Sequence, residues 1–173
     1  LPHNRILCYP EDWWELGSVA PHQFAGYTAI VDYVCWIGSK FIESTDRRKL
    51  FVEGMTRIEL HERALLYRAL EGTEAVPGLR RIPGVKVQCD NPDLTKRDFI
   101  LPITFDNIDP IRGAEELCKR GIYVYERVAP NHYSKRIVES LGLDGVIRVS
   151  PIHCNATWEV DEFLKAAAEV AKL

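Results

Sequence analysis

Residues 145–172, GVIRVSPIHCNATWEVDEFLKAAAEVAK, contain the pattern that decides the fold. The first part, Val146 to Ile152, is a short run of mainly apolar, β-branched residues and predicts a buried strand. The second part, Thr157 to Lys172, has apolar residues at helical spacing and acidic residues in its first turn, so it predicts an amphipathic helix. A strand followed directly by a helix indicates a sheet with helices packed on it.

The same alternation of strands and helices extends upstream. Gly121 and Gly142 stand where two of the helices are expected to end. The fold class is therefore α+β, an α/β sandwich in which a small mixed or antiparallel sheet is covered by helices. Three further strands are predicted in this region, at residues 85–89, 99–105 and 122–128. Two further helices are predicted at residues 109–119 and 131–141.

Two long helices are predicted before the sheet. The first, from His22 to about Phe41, is apolar on nearly every side, which predicts burial against more than one layer. A chain of 173 residues has few elements that could bury a helix on every side. The pattern therefore indicates that part of the surface on which this helix packs lies outside this chain. The second helix starts near Thr45-Asp46, which are good N-cap types, and runs to Gly72 with one charged, solvent-facing side.

Composition limits the classes of function. Apolar residues make up 46% of the chain, charged residues make up 27%, and the net charge is −3. A disordered chain is excluded, and without a basic field no nucleic-acid partner is expected. The apolar stretch from Phe24 to Ile37 is shorter than the run of about 18 residues that spans a bilayer, so no membrane partner is expected either.

Cysteine usage predicts free thiols in a reducing, cytoplasmic setting. The five cysteines are odd in number and form no CxxC pair, unlike a disulfide framework or a zinc knuckle. His153 and Cys154 are adjacent, but neighbouring side chains in a strand point to opposite faces. This pair is therefore not expected to bind a metal, and no metal site is predicted.

Arg148 is the most informative single residue, because it places a permanent cation in an apolar strand. It is either a surface arginine on a half-exposed strand, which periodicity alone favours, or an anchor for a carboxylate, whose two oxygens match the guanidinium fork. The loop residues His132 and Tyr133 are candidate site residues, although sequence alone favours an ordinary loop. No GxxxxGK[ST], HExxH, GxSxG or GxGxxG motif is present.

Several segments, taken in order, resemble the class V aminotransferases, the pyridoxal-phosphate (PLP) enzymes that include the cysteine desulfurases. The cysteine desulfurase-like branch is the most similar. Family patterns of the type "E-x-G-T … I-A-G", "I-P-G-V", "G-I-x-V", "R-x-S" and "E-E-[IV]-D" are matched in colinear order over essentially the whole chain. The matching segments are Glu15–Ser18, Phe24–Gly26, Ile82–Val85, Gly121–Val124, Arg148–Asn155 and Glu159–Asp161.

The resemblance implies the C-terminal domain of a PLP fold type I enzyme, preceded by a long linking helix. Residues 1–21 would be an arm from the large-domain side, residues 22–45 the linking helix, and residues 46–173 the small domain. The missing large PLP-binding domain would be a partner, and the enzyme would be a homodimer. The lysine that forms the Schiff base would lie before Leu1, since no lysine of the chain matches its position.

The resemblance also assigns candidate site residues. Arg148 matches the arginine that holds the substrate's α-carboxylate, and Ser18 matches a hydroxyl that binds the cofactor phosphate of the neighbouring subunit. Asn155 matches a family asparagine with a structural role. Where the desulfurases carry their persulfide cysteine after a histidine, this chain has Tyr133 after His132. A true desulfurase is therefore not expected, and no catalytic residue is assigned within this chain.

Three functions remain open at this stage. The first is the C-terminal part of a PLP enzyme acting on a small amino acid by C–S lysis, transamination or epimerisation. The second is a stand-alone, non-catalytic α+β module for binding or regulation, since a fold does not fix a function. The third is a helical interaction domain, for which the long charged helix is the only support. Colinearity over the whole chain favours the first.

Overall fold

The computed structural model describes residues 20–173. The chain divides into two compact units, the first ending at Arg57 and the second comprising Ile58–Leu173. The arm predicted for residues 1–21 lies outside the described residues, apart from its last two. The predicted start of the small domain at residue 46 stays a prediction.

The first unit contains helix α1, Pro21–Ser39, and the first part of helix α2, Arg47–Glu71. Asp46 caps α2 as its residue type predicts, because its Oδ1 accepts from the backbone N–H groups of Arg48 and Lys49 at 2.9 and 3.2 Å. Gly38 of α1 and Gly54 of α2 lie where the two backbones approach most closely. A Cβ on Gly54 would stand 2.1 Å from the Val34 carbonyl oxygen.

Most of the apolar surface of α1 is exposed. Only Val34, Cys35 and Gly38 are buried, and every residue from Pro21 to Ile30 is exposed. The burial on all sides that the sequence predicts for this helix is therefore not found. The exposure fits the related expectation that the packing partner of α1 lies outside this chain, which stays a prediction.

The exposed face of α1 should make the protein self-associate. Tyr27 and Ile30 are 66% and 59% exposed, and contiguous apolar patches above a few hundred Å² usually find a partner. We expect oligomers at micromolar concentration in sedimentation velocity, and a shift towards monomer for the double variant Tyr27→Asp, Ile30→Asp. Ile137→Asp, at an exposed position of the second unit, is the control and should change nothing. A wild-type monomer that binds no hydrophobic dye would contradict this.

The second unit contains a four-stranded sheet in the order β1–β2–β4–β3, with every neighbouring pair antiparallel. The predicted α+β class is confirmed, and the sheet is antiparallel rather than mixed. Cys89 falls outside the first strand because its backbone turns to a φ of +50°. The strands are β1, Val85–Val87; β2, Leu101–Phe105; β3, Tyr125–Val128; and β4, Gly145–Val149.

Three more helices belong to this unit: α3, Pro110–Lys119; α4, Lys135–Ser140; and α5, Thr157–Val170. One face of the sheet forms the core with the helices, because Leu101, Ile103 and Ile147 are fully buried together with the apolar side of α5. Arg148 stands between Ile147 and Val149 in β4 and so belongs to the opposite register. Within residues 20–173, no helix is long and apolar enough to cross a membrane.

Candidate functional site

A cleft of about 410 Å³ opens beside the strands β3 and β4 and the N-terminal end of α5. Its buried lining residues are apolar, and the rest of the lining mixes apolar, aromatic and polar residues. The cleft lies where β4 ends, so the chain segment that joins β4 to α5 forms one of its walls. The lining residues are Phe99, Gly121, Ile122, Tyr123, Val124, Tyr125, Arg148, Val149, Ser150, Pro151, Asn155, Glu159, Val160 and Phe163.

Arg148 brings the only arginine or lysine side chain to this lining. It stands in β4 directly opposite Pro102 of β2 and Tyr125 of β3. Its Nε is buried and has no hydrogen-bond partner among the described residues. Arg97 also has a buried, unpaired Nε, but its guanidinium forms an ion pair with Asp90. Among residues 20–173 Arg148 forms no ion pair, and Glu159 of the same lining accepts from the Ala156 N–H instead.

An unpaired buried donor costs about 1–3 kcal/mol, and a ligand carboxylate would remove that cost. The guanidinium presents its donors in a fixed fork that matches the two oxygens of a carboxylate. The buried side chains of Phe99, Val160 and Phe163 exclude water from one side, which strengthens such a pair. A ligand carboxylate would therefore complement Arg148 in this cleft.

The wall between β4 and α5 is fixed by its own hydrogen bonds. The Oδ1 of Asn155 accepts from the Ile152 N–H at 2.9 Å, and its backbone oxygen lies 3.0 Å from His61 Nε2. Glu159 reaches back to accept from the Ala156 N–H at 2.7 Å. Asn155 and Glu159 therefore hold this wall in place, and both side chains also line the cleft.

An ion pair ties α5 to α2 behind this wall. Arg68 donates from Nε and from its second terminal nitrogen to the two carboxylate oxygens of Asp161, both at 2.7 Å. These hydrogen bonds hold the pKa of the Asp161 carboxyl below its ordinary value. Asp161, which the sequence singles out only as part of a family pattern, thus has a structural function.

Asp161→Asn should lower the free energy of unfolding by about 1–2 kcal/mol at neutral pH, because the partly buried Arg68 loses its charged acceptor. The pKa of Asp161 is lower in the folded state, so its contribution is present above about pH 4 and is lost as the pH falls through the lowered value. Urea denaturation at pH 7 and pH 3 tests this. The exposed pair Glu162–Lys165 supplies the control Glu162→Gln. An equal loss of unfolding free energy in both variants would show that the Arg68–Asp161 pair stabilises the fold no more than an exposed ion pair does.

The structure does not bring all of the candidate residues together. His132 and Tyr133 lie in the loop before α4 with their rings edge to face, 5.7 Å apart, and Tyr133 is 91% exposed. Neither lines the cleft. Ser18 lies outside the described residues. The roles assigned to all three stay predictions.

Other residues of the lining could not be predicted as site residues from the sequence. Tyr123 and Phe163 gave no signal, because exposed aromatics in loops and apolar residues in helices are common. Tyr125 stands where the family resemblance predicts an arginine, and Arg127 is close enough in sequence to replace that arginine. Register places Tyr125 opposite Arg148 and Arg127 opposite Val146, so the tyrosine is the residue that shares the cleft with Arg148.

The described residues do not form a PLP site by themselves. A Schiff base requires a lysine, and no lysine lines the cleft. Of the donors present, the arginine suits a carboxylate and the aromatic rings suit an apolar group. We therefore derive no chemical step on this cofactor from these residues.

Comparison with known proteins agrees with the fold and with the family resemblance. The "Probable cysteine desulfurase 1" of Mycobacterium leprae (strain TN) is 29% identical over 119 residues, which are 69% of this chain and 18% of that protein. A solved apo cysteine desulfurase from Thermococcus onnurineus NA1 has a TM-score of 0.59 and 25% identity, over 73% of this chain and 29% of that one. The resemblance to cysteine desulfurases is confirmed.

The cysteine desulfurase CsdA of Escherichia coli shares the fold, with a TM-score of 0.55 at 16% identity. It is matched over 76% of this chain and 32% of its own length. No family model matches the chain. The chain thus spans less than a third of each of these relatives.

Proposed function

We propose that this chain is the C-terminal part of a PLP-dependent enzyme that acts on an amino acid, and that Arg148 binds the substrate's α-carboxylate. The observation that carries the proposal is the unpaired, buried Nε of Arg148 in a cleft to which residues 20–173 bring no other basic side chain. A cation in such a setting suits an anionic ligand better than it suits the surface of a sheet.

The cysteine desulfurase-like relatives support PLP as the cofactor of the complete protein. When bound, PLP supplies the electron sink for chemistry at the amino acid's α-carbon. The large domain that would hold it is part of the proposal, as are the homodimer and the place of Ser18 in the cofactor site. The contribution of this chain's described residues is to bind and orient the carboxylate and to exclude water from the buried apolar lining.

The reaction itself stays open among C–S lysis, transamination and epimerisation. Tyr133 occupies the position after His132 where the resemblance places a persulfide cysteine, and a phenol cannot accept sulfur as a thiolate does. The loop from Ala129 to Ser134 therefore contains no thiol nucleophile. The cytoplasmic location predicted from the cysteines also stays a prediction.

This chain on its own should bind no PLP covalently at one defined lysine, because no lysine lies in the cleft. Borohydride reduction in the presence of PLP, followed by peptide mapping, should find only weak labelling spread over exposed lysines. Stoichiometric labelling of a single lysine would place the Schiff base within this chain and contradict this part of the proposal.

The proposed function as a whole is tested on the protein encoded by the complete reading frame that contains this chain. PLP content and amino-acid-dependent product formation should both be measured with a panel of L-amino acids. Stoichiometric PLP with turnover of at least one amino acid is the expected result. A protein that binds no PLP and turns over none of them would favour the stand-alone binding or regulatory module instead.

A further inference from the structure

The segment between β4 and α5 places an imidazole against a thiol. From sequence, His153 and Cys154 are expected on opposite faces of a strand, and this expectation is wrong. The strand β4 ends at Val149, and residues 153 and 154 form a turn, so their side chains lie together. Cys154 Sγ is 3.5 Å from His153 Nε2.

The other side of the imidazole faces a carboxylate. His153 Nδ1 lies 3.9 Å from Glu62 Oε1 of α2. The same oxygen accepts a hydrogen bond from the His153 backbone N–H at 3.0 Å, which fixes the turn against the helix. All three residues belong to the compact unit Ile58–Leu173. The order thiol, imidazole, carboxylate is the arrangement in which a base is oriented by a third group and activates a nucleophile.

Cys154 differs from the other described cysteines in the surroundings of its thiol. Cys89 and Cys118 are also exposed, but the thiol of neither has a hydrogen-bond partner among residues 20–173. Cys35 is buried, and its thiol donates to the Arg47 backbone oxygen at 3.4 Å. Only Cys154 combines exposure with a neighbouring proton acceptor. Such a position is typical of reactive rather than structural thiols.

We propose that Cys154 is a reactive thiol that exchanges with small disulfides such as oxidised glutathione. In the exchange, His153 Nε2 takes the Sγ proton as the sulfur attacks one sulfur of the disulfide. A Cys154–glutathione bond forms, the S–S bond of the reagent breaks, and the second glutathione leaves as a thiolate that is then protonated. Glu62 holds the imidazole and stabilises its positive charge. This proposal does not depend on PLP or on Arg148.

The position of the thiol suggests what the exchange does. Cys154 immediately precedes Asn155, and both Asn155 and Pro151 line the Arg148 cleft. A glutathione group on Cys154 adds a bulky, charged tripeptide to the segment that forms the cleft wall. Modification of this thiol is therefore a means of altering access to the cleft in response to oxidised thiols.

The test measures the rate of glutathionylation at each cysteine of the purified protein by peptide mass spectrometry at neutral pH. Cys154 should react at least about tenfold faster than Cys89 and Cys118, which is below the range of about 10²–10⁴ for a positioned base because the Sγ–Nε2 contact is long. Cys35 should stay unmodified, which reports that the first unit is folded, and a cooperative urea transition should show that the second unit, which contains Cys154, is folded. Equal rates at the three exposed cysteines would overturn the proposal.

Two variants identify the cause of the rate difference. His153→Gln should lower the Cys154 rate to that of Cys118, whereas the control His132→Ala, in the loop before α4, should leave it unchanged. Glu62→Gln keeps a side-chain oxygen that can accept from the His153 backbone N–H, and it should lower the Cys154 glutathionylation rate at least about threefold. If His153→Gln does not fold, the Glu62→Gln variant provides the test instead. An undiminished Cys154 rate in a folded His153→Gln or Glu62→Gln variant would overturn the proposal.

Discussion

Arg148→Ala is expected to reduce kcat/KM for α-carboxylate substrates by roughly 30-fold to several-thousand-fold in the complete protein. Removing one partner of a desolvated, hydrogen-bonded charge pair costs about 2–5 kcal/mol, and about 1.4 kcal/mol corresponds to tenfold. The unpaired Nε and the buried apolar lining of the cleft place Arg148 in this class. Steady-state kinetics on the wild type and the variant measure the loss.

Arg148→Lys should recover only part of this activity, because an ammonium group offers a point charge without the planar fork. PLP content should be the same in all variants if the cofactor is held elsewhere. Arg136→Ala, which removes an exposed arginine from α4, is the matched control and should leave kcat/KM unchanged. If Arg148→Ala lowers the Tm but leaves kcat/KM per folded molecule intact, Arg148 only covers the sheet.

Gly54→Ala should destabilise the first unit by about 3 kcal/mol, at the upper end of the usual range for overpacking. The added Cβ would stand 2.1 Å from the Val34 carbonyl oxygen, and a backbone atom cannot rotate away as a side chain can. This loss opposes the gain of about 1 kcal/mol that alanine gives over glycine within a helix. Urea denaturation followed by far-UV circular dichroism measures the net effect.

Gly26→Ala in α1 is the control, because a Cβ at Gly26 would meet nothing within 4 Å. This substitution should be neutral or stabilising by up to about 1 kcal/mol. If both alanine variants are equally stable, α1 and α2 do not cross at Gly54. A large loss at Gly54 alone would confirm the close crossing.

The fold could be predicted from the sequence where local rules apply. Helix α3 begins as predicted because Asp109 caps it, with Oδ1 accepting from the N–H groups of Ile111 and Arg112. Gly121 and Gly142 end their helices with φ of +79° and +67°, as glycine's freedom there predicts. The sequence does not distinguish a mixed from an antiparallel sheet, because the order of the strands depends on contacts between distant residues.

The site could be predicted only in part. Arg148 stood out because a cation within an apolar strand is unusual, whereas its neighbour Tyr125 depends on strand register, which local patterns do not give. The His153–Cys154 contact was missed because the apolar run continues to Ile152 while the strand ends earlier, at Val149. Helix α1 shows the opposite error, since apolar composition predicted burial that the described chain does not supply.

The carboxylate specificity of the cleft is the central claim, and a kinetic comparison of acid with amide tests it most directly. For an L-amino acid that the complete protein turns over, kcat/KM should be measured for the acid and its α-carboxamide, in the wild type and in Arg148→Ala. We expect the wild type to prefer the acid by at least about 30-fold, a factor equivalent to about 2 kcal/mol, and the variant to lose that preference. An acid preference of the same size in Arg148→Ala would contradict the account.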